Sequence, residues 1–275
     1  MTWFLWALVA SICAAGLAEC NRVFRQDPQM MNAWRSTIAV ALLAIAIPHM
    51  DWPDGRWFYI VAGLDGIVTA IGMIFFFYLA AQKTGRVSSM VLPLAAASAY
   101  LTWWMMMPEL RPDLMEHPFR VLLAAISATL VLIAMQRVRD NDSSWESFLI
   151  ILPVGISFGI IDALTQFVLG TYYNVYNVAL AYAFLALCLC TICSWIAAIP
   201  KPVGAPLERV IISKDLLWAG FWGGVFTVGM TLASTFSLSV APHPAMPGII
   251  MAFTPLWLYG VNFLRKTPDD VSLPA

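Results

Sequence analysis

The chain has 275 residues, 61% of them hydrophobic and only 11% charged, with a mean hydropathy of +0.78. That balance excludes a water-soluble domain and indicates an all-α integral membrane protein. The formal net charge of -1, from 15 Lys+Arg against 16 Asp+Glu, also leaves no basic excess of the kind that marks a nucleic-acid binder.

A bilayer is crossed by about 20 consecutive apolar residues in a helix, and nine runs approach that length. In chain order they are 2–17, 33–50, 57–82, 87–107, 119–135, 148–170, 175–199, 216–241 and 245–264. They are continuously apolar, whereas strands of a membrane barrel would be about ten residues long and alternate in polarity. The first run starts within Met1-Thr2-Trp3-Phe4, with no basic region before it, so it reads as a retained helix and not a cleaved signal peptide. The longest polar stretches, 137–147 and 200–215, read as connectors that leave no room for a soluble domain.

The two halves of the chain repeat each other. Gly16-Leu17-Ala18-Glu19 on the first run is answered by Gly159-Ile160-Ile161-Asp162 on the sixth, and Phe24 and Phe167 follow at the same offset. Ala62-Gly63, Gly66, Val68 and Gly72-Met73 of the third run recur without a gap as Ala219-Gly220, Gly223, Val225 and Gly229-Met230 of the eighth. The expected organisation is therefore a first unit of five helices over residues 1–140, a second unit of four over 147–266, and a cytoplasmic tail at 267–275. Repeated units enclosing intramembrane carboxylates are the mark of a secondary transporter, with the site at the repeat interface.

Of the 15 Lys+Arg, 12 fall on the side of the connection between the first and second runs, and only Arg56, Arg111 and Arg120 on the other. The positive-inside rule then places the N-terminus outside and the C-terminus in the cytoplasm. Setting aside Arg22 and Arg35 as transport-pathway candidates leaves 10 against 3, with the same orientation.

Three stretches carry a family resemblance: PQMMNAWR (residues 28–35) opening the second run, RVSSMVLPL (86–94) leading into the fourth through Pro93, and PGIIMAFTPL (247–256) with Pro255 in the ninth. In their order on two helical units they resemble the EamA-like branch of the drug/metabolite transporter superfamily. The resemblance implies two inverted-topology repeats, a bacterial cytoplasmic (inner) membrane location and no cofactor. Members usually have ten helices, so a 5+4 arrangement lacks the tenth; in the family the fifth helix of each unit tends to lie at the periphery and serve dimer contacts, which leaves a homodimer open. The N-outside orientation reverses that of the better-known members. Ala18-Glu19 is also similar to the first-helix glutamate of the small multidrug resistance proteins, which binds protons and cationic substrate in turn.

A carboxylate at a membrane helix centre costs about 2.5–3.5 kcal/mol on insertion scales, so each one demands an explanation. Glu19, Asp65 and Asp162 qualify, and carboxyls desolvated among apolar neighbours are the groups that exchange protons near neutral pH. Glu19 and Asp162 hold equivalent positions in the two units; Asp65 is matched by Trp222. For Glu19 a structural role competes with function, because Arg22 lies one turn on and Arg35 can reach back from the second helix. No basic residue is near Asp162 in sequence. Tyr78, Tyr100 and Trp222 are the foremost candidate faces for a cation or flat ligand, drawn from a wider set of aromatics that includes Tyr182 and Trp257, while Tyr172, Tyr173 and Tyr176 read as an interfacial belt. Cys190 and Cys193 match a CxxC spacing without a second pair or a nearby His, which favours packing over a metal site. The chain has no GxxxxGK[ST] loop and no hydrolase triad, so it reads as neither an ATPase nor another enzyme.

The expected function is transport of a small organic metabolite or amine by alternating access, coupled to protons. Alternatives are a carrier of a lipid-linked or nucleotide-linked substrate, for which Arg22 and Arg35 are the only hint, and a non-transporting scaffold subunit.

Overall fold

The computed structural model describes residues 2–82, 91–107, 145–199 and 211–265. Among these residues all regular structure is helical. The helices are α1 (Thr2–Phe24), α2 (Pro28–Leu43), α3 (Arg56–Gln82), α4 (Val91–Met106), α5 (Trp145–Leu169), α6 (Val175–Ala198), α7 (Lys214–Val240), α8 (Ala245–Met251) and α9 (Thr254–Arg265). Six helical stretches are long and apolar enough to cross a membrane, so the protein is a multi-pass membrane protein. The expected fifth span, 119–135, lies outside the described residues.

Local chemistry sets several boundaries. Asp27 caps α2, its Oδ1 accepting from the backbone N–H of Gln29 and Met30 at 2.9 Å, and Pro28 occupies the first helical position, where a missing N–H costs nothing. The second span then tightens into a 3-10 turn, Ala44–His49, which contains Pro48.

The ninth span, expected as one helix, is broken into α8 and α9 at Ala252-Phe253. Pro255 is the reason, since it lacks an N–H and its ring clashes with the carbonyl four residues back, that of Met251. The freed carbonyl is recovered by the Thr254 hydroxyl, which donates to Met251 O at 2.6 Å. Thr254 Oγ1 is also 3.2 Å from Ser11 Oγ on α1, and Trp257 Nε1 donates to the same Ser11 oxygen at 3.1 Å, so the break is pinned to α1.

The bundle is held by close helix approach. α1 packs on α7, α2 on α6 and α7, α3 on α5 and α6, and α4 on α5 and α8. Small residues make the approaches: a Cβ added at Gly159 would lie 1.8 Å from Ser98 Oγ and 2.2 Å from Ala95 O, and one at Gly66 would lie 2.4 Å from Ala186 O. Ser98 uses the proximity, donating across to the Gly155 and Ile156 carbonyls at 3.2 Å. One core cluster gathers Phe58, Leu169, Tyr182 and Leu187, another Leu17, Met31, Phe77 and Ala219. Ile60, Leu64, Ile67 and Ile71 of α3 recur every three to four residues on an exposed face, as a lipid-facing stripe does.

Because backbone atoms that cannot rotate away oppose both positions, Ala186 O and Cys190 N at Gly66 and Ala95 O and Ala99 N at Gly159, Gly66→Ala and Gly159→Ala should each lower stability by about 1–3 kcal/mol. Thermal denaturation in detergent reads this. Gly260→Ala is the matched control: nothing lies within 4 Å of the added methyl, and stability should hold or rise.

Candidate functional site: a carboxyl pair in the membrane interior

The site begins with Asp65, nine residues into α3. Thr69 follows one turn later on the same face and donates its hydroxyl to Asp65 Oδ1 at 3.0 Å. From α6 the fully buried Tyr182 brings a hydroxyl that is 2.7 Å from Thr165 Oγ1 of α5 and also faces the Asp65 carboxyl. Thr165 lies three residues after Asp162, so the bond that anchors Tyr182 also positions the α5 face bearing the second acid.

Asp162 is the exception in this constellation. Its carboxyl makes no hydrogen bond and no ion pair among the described residues, and its electrostatic neighbours there are Asp65 and Tyr182. Both acids line a cavity of about 130 Å³ together with Thr69, Thr165, Thr231 and Ser234. Each is partly buried and lines the cavity.

The cavity lies deep. Asp65 is nine residues past Arg56 at the start of α3, and Asp162 seven residues before Leu169 at the end of α5. At 1.5 Å rise per residue these are depths of about 14 and 10 Å. Both are counted from the same end, because Phe58 and Tyr172 meet there with ring centroids 6.3 Å apart. Two carboxylates lining one cavity repel when both are ionised, and away from bulk water the repulsion is poorly screened. A single proton or a single cationic group held between them relieves it.

Glu19 is placed elsewhere. Arg22 forks onto it, Nε donating to Oε2 at 2.7 Å and Nη2 to Oε1 at 2.6 Å. α1 turns Ala14 and Leu17 to the cavity; Glu19, two residues on from Leu17 and about 200° around the helix, faces away. The acid brought to Asp162 is thus Asp65, and the sequence symmetry of Glu19 with Asp162 does not become proximity.

Arg35 is fully buried and Glu19 is not among its partners. Nε donates to Asn32 Oδ1 at 2.9 Å, Nη1 to Thr227 Oγ1 at 2.9 Å, and Nη2 points at Cys190 Sγ at 3.9 Å, while the Phe77 ring centroid lies 5.4 Å from the guanidinium carbon. Asn32 in turn donates to Ala70 O at 2.9 Å and Ser194 Oγ at 2.8 Å. One polar knot thereby joins α2, α3, α6 and α7, and Cys190 belongs to it. No cluster of three metal-ligand side chains exists among the described residues.

The aromatic candidates lie outside the cavity lining. Trp222 is 45% exposed beside Phe221 and Phe226, and Tyr78 is 37% exposed. Tyr100 stacks on His243, centroids 5.1 Å apart, with Trp103 edge-on to the same ring at 6.2 Å. His243 sits between α7 and α8, where burial pushes its imidazole down to about 4. The neutral ring leaves Nδ1 free to accept the Ala245 N–H at 3.1 Å.

The cavity hydroxyls are not singled out by the sequence, and Tyr182 stands there only as one ring face among several aromatics, with nothing to mark its hydroxyl. The spacings Asp65/Thr69 and Asp162/Thr165 carry a one-turn signal that could have found two of them; Thr231 and Ser234 carry none. No family model and no curated protein matches the chain.

Tyr182→Phe keeps the ring that packs edge-on to Phe58, 5.8 Å away, and removes only the hydroxyl between Thr165 and Asp65. It should cost about 1–2 kcal/mol of stability, read by thermal denaturation. An unchanged midpoint would show that the hydroxyl organises nothing.

Proposed function

We propose that the protein is a secondary active transporter. It moves a small organic metabolite or amine across the bacterial cytoplasmic membrane by alternating access, coupled to protons through Asp65 and Asp162. One observation carries the reading: in the interior of a membrane bundle, Asp162 faces a cavity with Asp65 beside it and without a hydrogen-bond or ion-pair partner among the described residues. An intramembrane carboxyl that is not consumed by a structural partner is a transport or proton-relay group by default. Exchange follows naturally, because a proton and a cationic or hydrogen-bonding ligand relieve the same repulsion and compete for the same pair.

The proposed architecture is nine helices in two inverted units, five and four. Its support is that packing contacts come in matched pairs under the correspondence of α1 with α5, α2 with α6, α3 with α7, and α4 with the broken α8/α9 segment. α1 on α7 answers α5 on α3, α2 on α7 answers α6 on α3, and α1 on α8 answers α5 on α4. The glycines follow suit, Gly63 and Gly66 meeting α6 at Leu189 and Ala186, Gly220 and Gly223 meeting α2 at Trp34 and Met31. Two such bodies can rock about a site at their interface.

Asp162→Asn preserves shape and removes only the titratable group. In membrane vesicles it should abolish accumulation driven by a pH gradient, assayed with a mixture of labelled small amines and metabolites, while the stability read by thermal denaturation stays within about 1 kcal/mol of the parent. Wild-type pH dependence in the variant would exclude the role.

The proposed orientation, N-terminus outside and C-terminus cytoplasmic, rests on the 12-to-3 division of Lys and Arg. Reporters fused after Lys266 should be active only when they require the cytoplasm, and an external C-terminus in intact cells would reverse the assignment.

A further inference from the structure

The cavity lining is chemically one-sided. It holds two carboxyls and a set of hydroxyls, and no Lys, Arg or His among the described residues. Arg35, the fully buried guanidinium among the described residues, is absent from the lining and is engaged by Asn32, Thr227 and Cys190. A ligand carboxylate entering here would meet two like charges and no cation. An ammonium group would meet two acceptors, one of them, Asp162, with no other hydrogen-bond partner among the described residues.

Size and polarity narrow the ligand further. A volume of about 130 Å³ is of the order that holds a benzene-sized molecule. Phe76, Phe158, Met73 and Met230 supply an apolar wall for a short hydrocarbon body. On α7 the Thr231 and Ser234 hydroxyls, three residues apart on one face, reach the cavity without a hydrogen bond to any described residue, whereas Thr69 and Thr165 are already engaged.

We infer that the cavity selects compact organic monoamines over the corresponding amino acids: Asp65 and Asp162 receive the ammonium, the apolar wall covers the hydrocarbon, and Ser234 with Thr231 reads a neutral polar substituent. This rests on the transporter reading of the same cavity and decides between the substrate classes that reading leaves open.

Matched pairs that differ only by the carboxylate test it on the purified full-length protein: isobutylamine against valine, and ethanolamine against serine, followed by saturable shifts in melting temperature and by calorimetric titration. Both amines should bind, and both amino acids should be at least about 100-fold weaker, because each would bury an uncompensated carboxylate. Asp162→Asn should weaken both amines by about 10- to 100-fold. Ser234→Ala should weaken ethanolamine about 3- to 10-fold and leave isobutylamine unchanged, a split that general loosening of the fold would not produce. The pairs on the unmodified protein need no variant to fold.

Amino acids binding as tightly as their amines, with Asp162→Asn still abolishing binding, would overturn the substrate class and leave the carrier standing. Absence of saturable binding by either amine at millimolar concentration would overturn the class as well. Amine binding undiminished in both Asp162→Asn and Asp65→Asn would remove the site itself.

Discussion

A bilayer interior supplies no water to an ionised side chain, and the helix bundle is arranged around that shortage. The buried ionisable groups meet it in three ways. Glu19 is neutralised one turn along its own helix by Arg22 in a two-point pair. Arg35 is held by neutral oxygens, a sulfur and an aromatic face drawn from α2, α3, α6 and α7. Asp65 and Asp162 line one cavity, where their like charges repel when both are ionised. The first two arrangements are closed by partners from the chain itself; in the third, Asp162 has no hydrogen-bond or ion-pair partner among the described residues.

The polar knot at Arg35 and the carboxyl pair are mechanically connected. Gly66, next to Asp65, lets α3 come close enough to α6 that its Cβ position would touch Ala186 O and Cys190 N, and Cys190 is a neighbour of the Arg35 guanidinium. Asn32, which orients Arg35, bonds the Ala70 carbonyl one turn beyond Asp65. Movement of α3 against α6 is therefore felt at both places. On the other side of the cavity the wall includes Met251, the last residue of α8, immediately before the break created by Pro255. A backbone interruption beside a polar cavity, with its open carbonyl answered by Thr254, is where irregular structure is tolerated inside a membrane.

Much of the fold was legible in the sequence because hydrophobic length is a direct readout of bilayer thickness. Spans at 57–82, 148–170, 175–199 and 216–241 match α3, α5, α6 and α7 to within three residues at either end. The break in the ninth span was less legible: Pro255 was visible as a kink candidate, yet a complete interruption needed Ser11 and Thr254 to hold the exposed backbone against α1. At the level of candidate residues, Asp65 and Asp162 could be named from the apolar runs alone, since a charge within such a run stands out, and Glu19 follows the end of the first run by two residues.

Partnership is a different matter. Glu19 with Arg22 is a one-turn relation that the linear order of residues already contains, because helical periodicity places such residues on one face. Asp65 with Asp162, Tyr182 with Thr165, and Arg35 with Thr227 join residues 97, 17 and 192 positions apart. Those contacts depend on which helix faces meet, and that is decided by small residues such as Gly66 and Gly159 fitting against backbone on a neighbouring helix. The sequence by itself determined that this is a multi-pass helical membrane protein with acids buried in its spans, because burial in lipid is a property of one segment at a time. Only the tertiary structure decided that Asp65, and not Glu19, stands beside Asp162, because distance between segments is set by packing, which no linear pattern encodes.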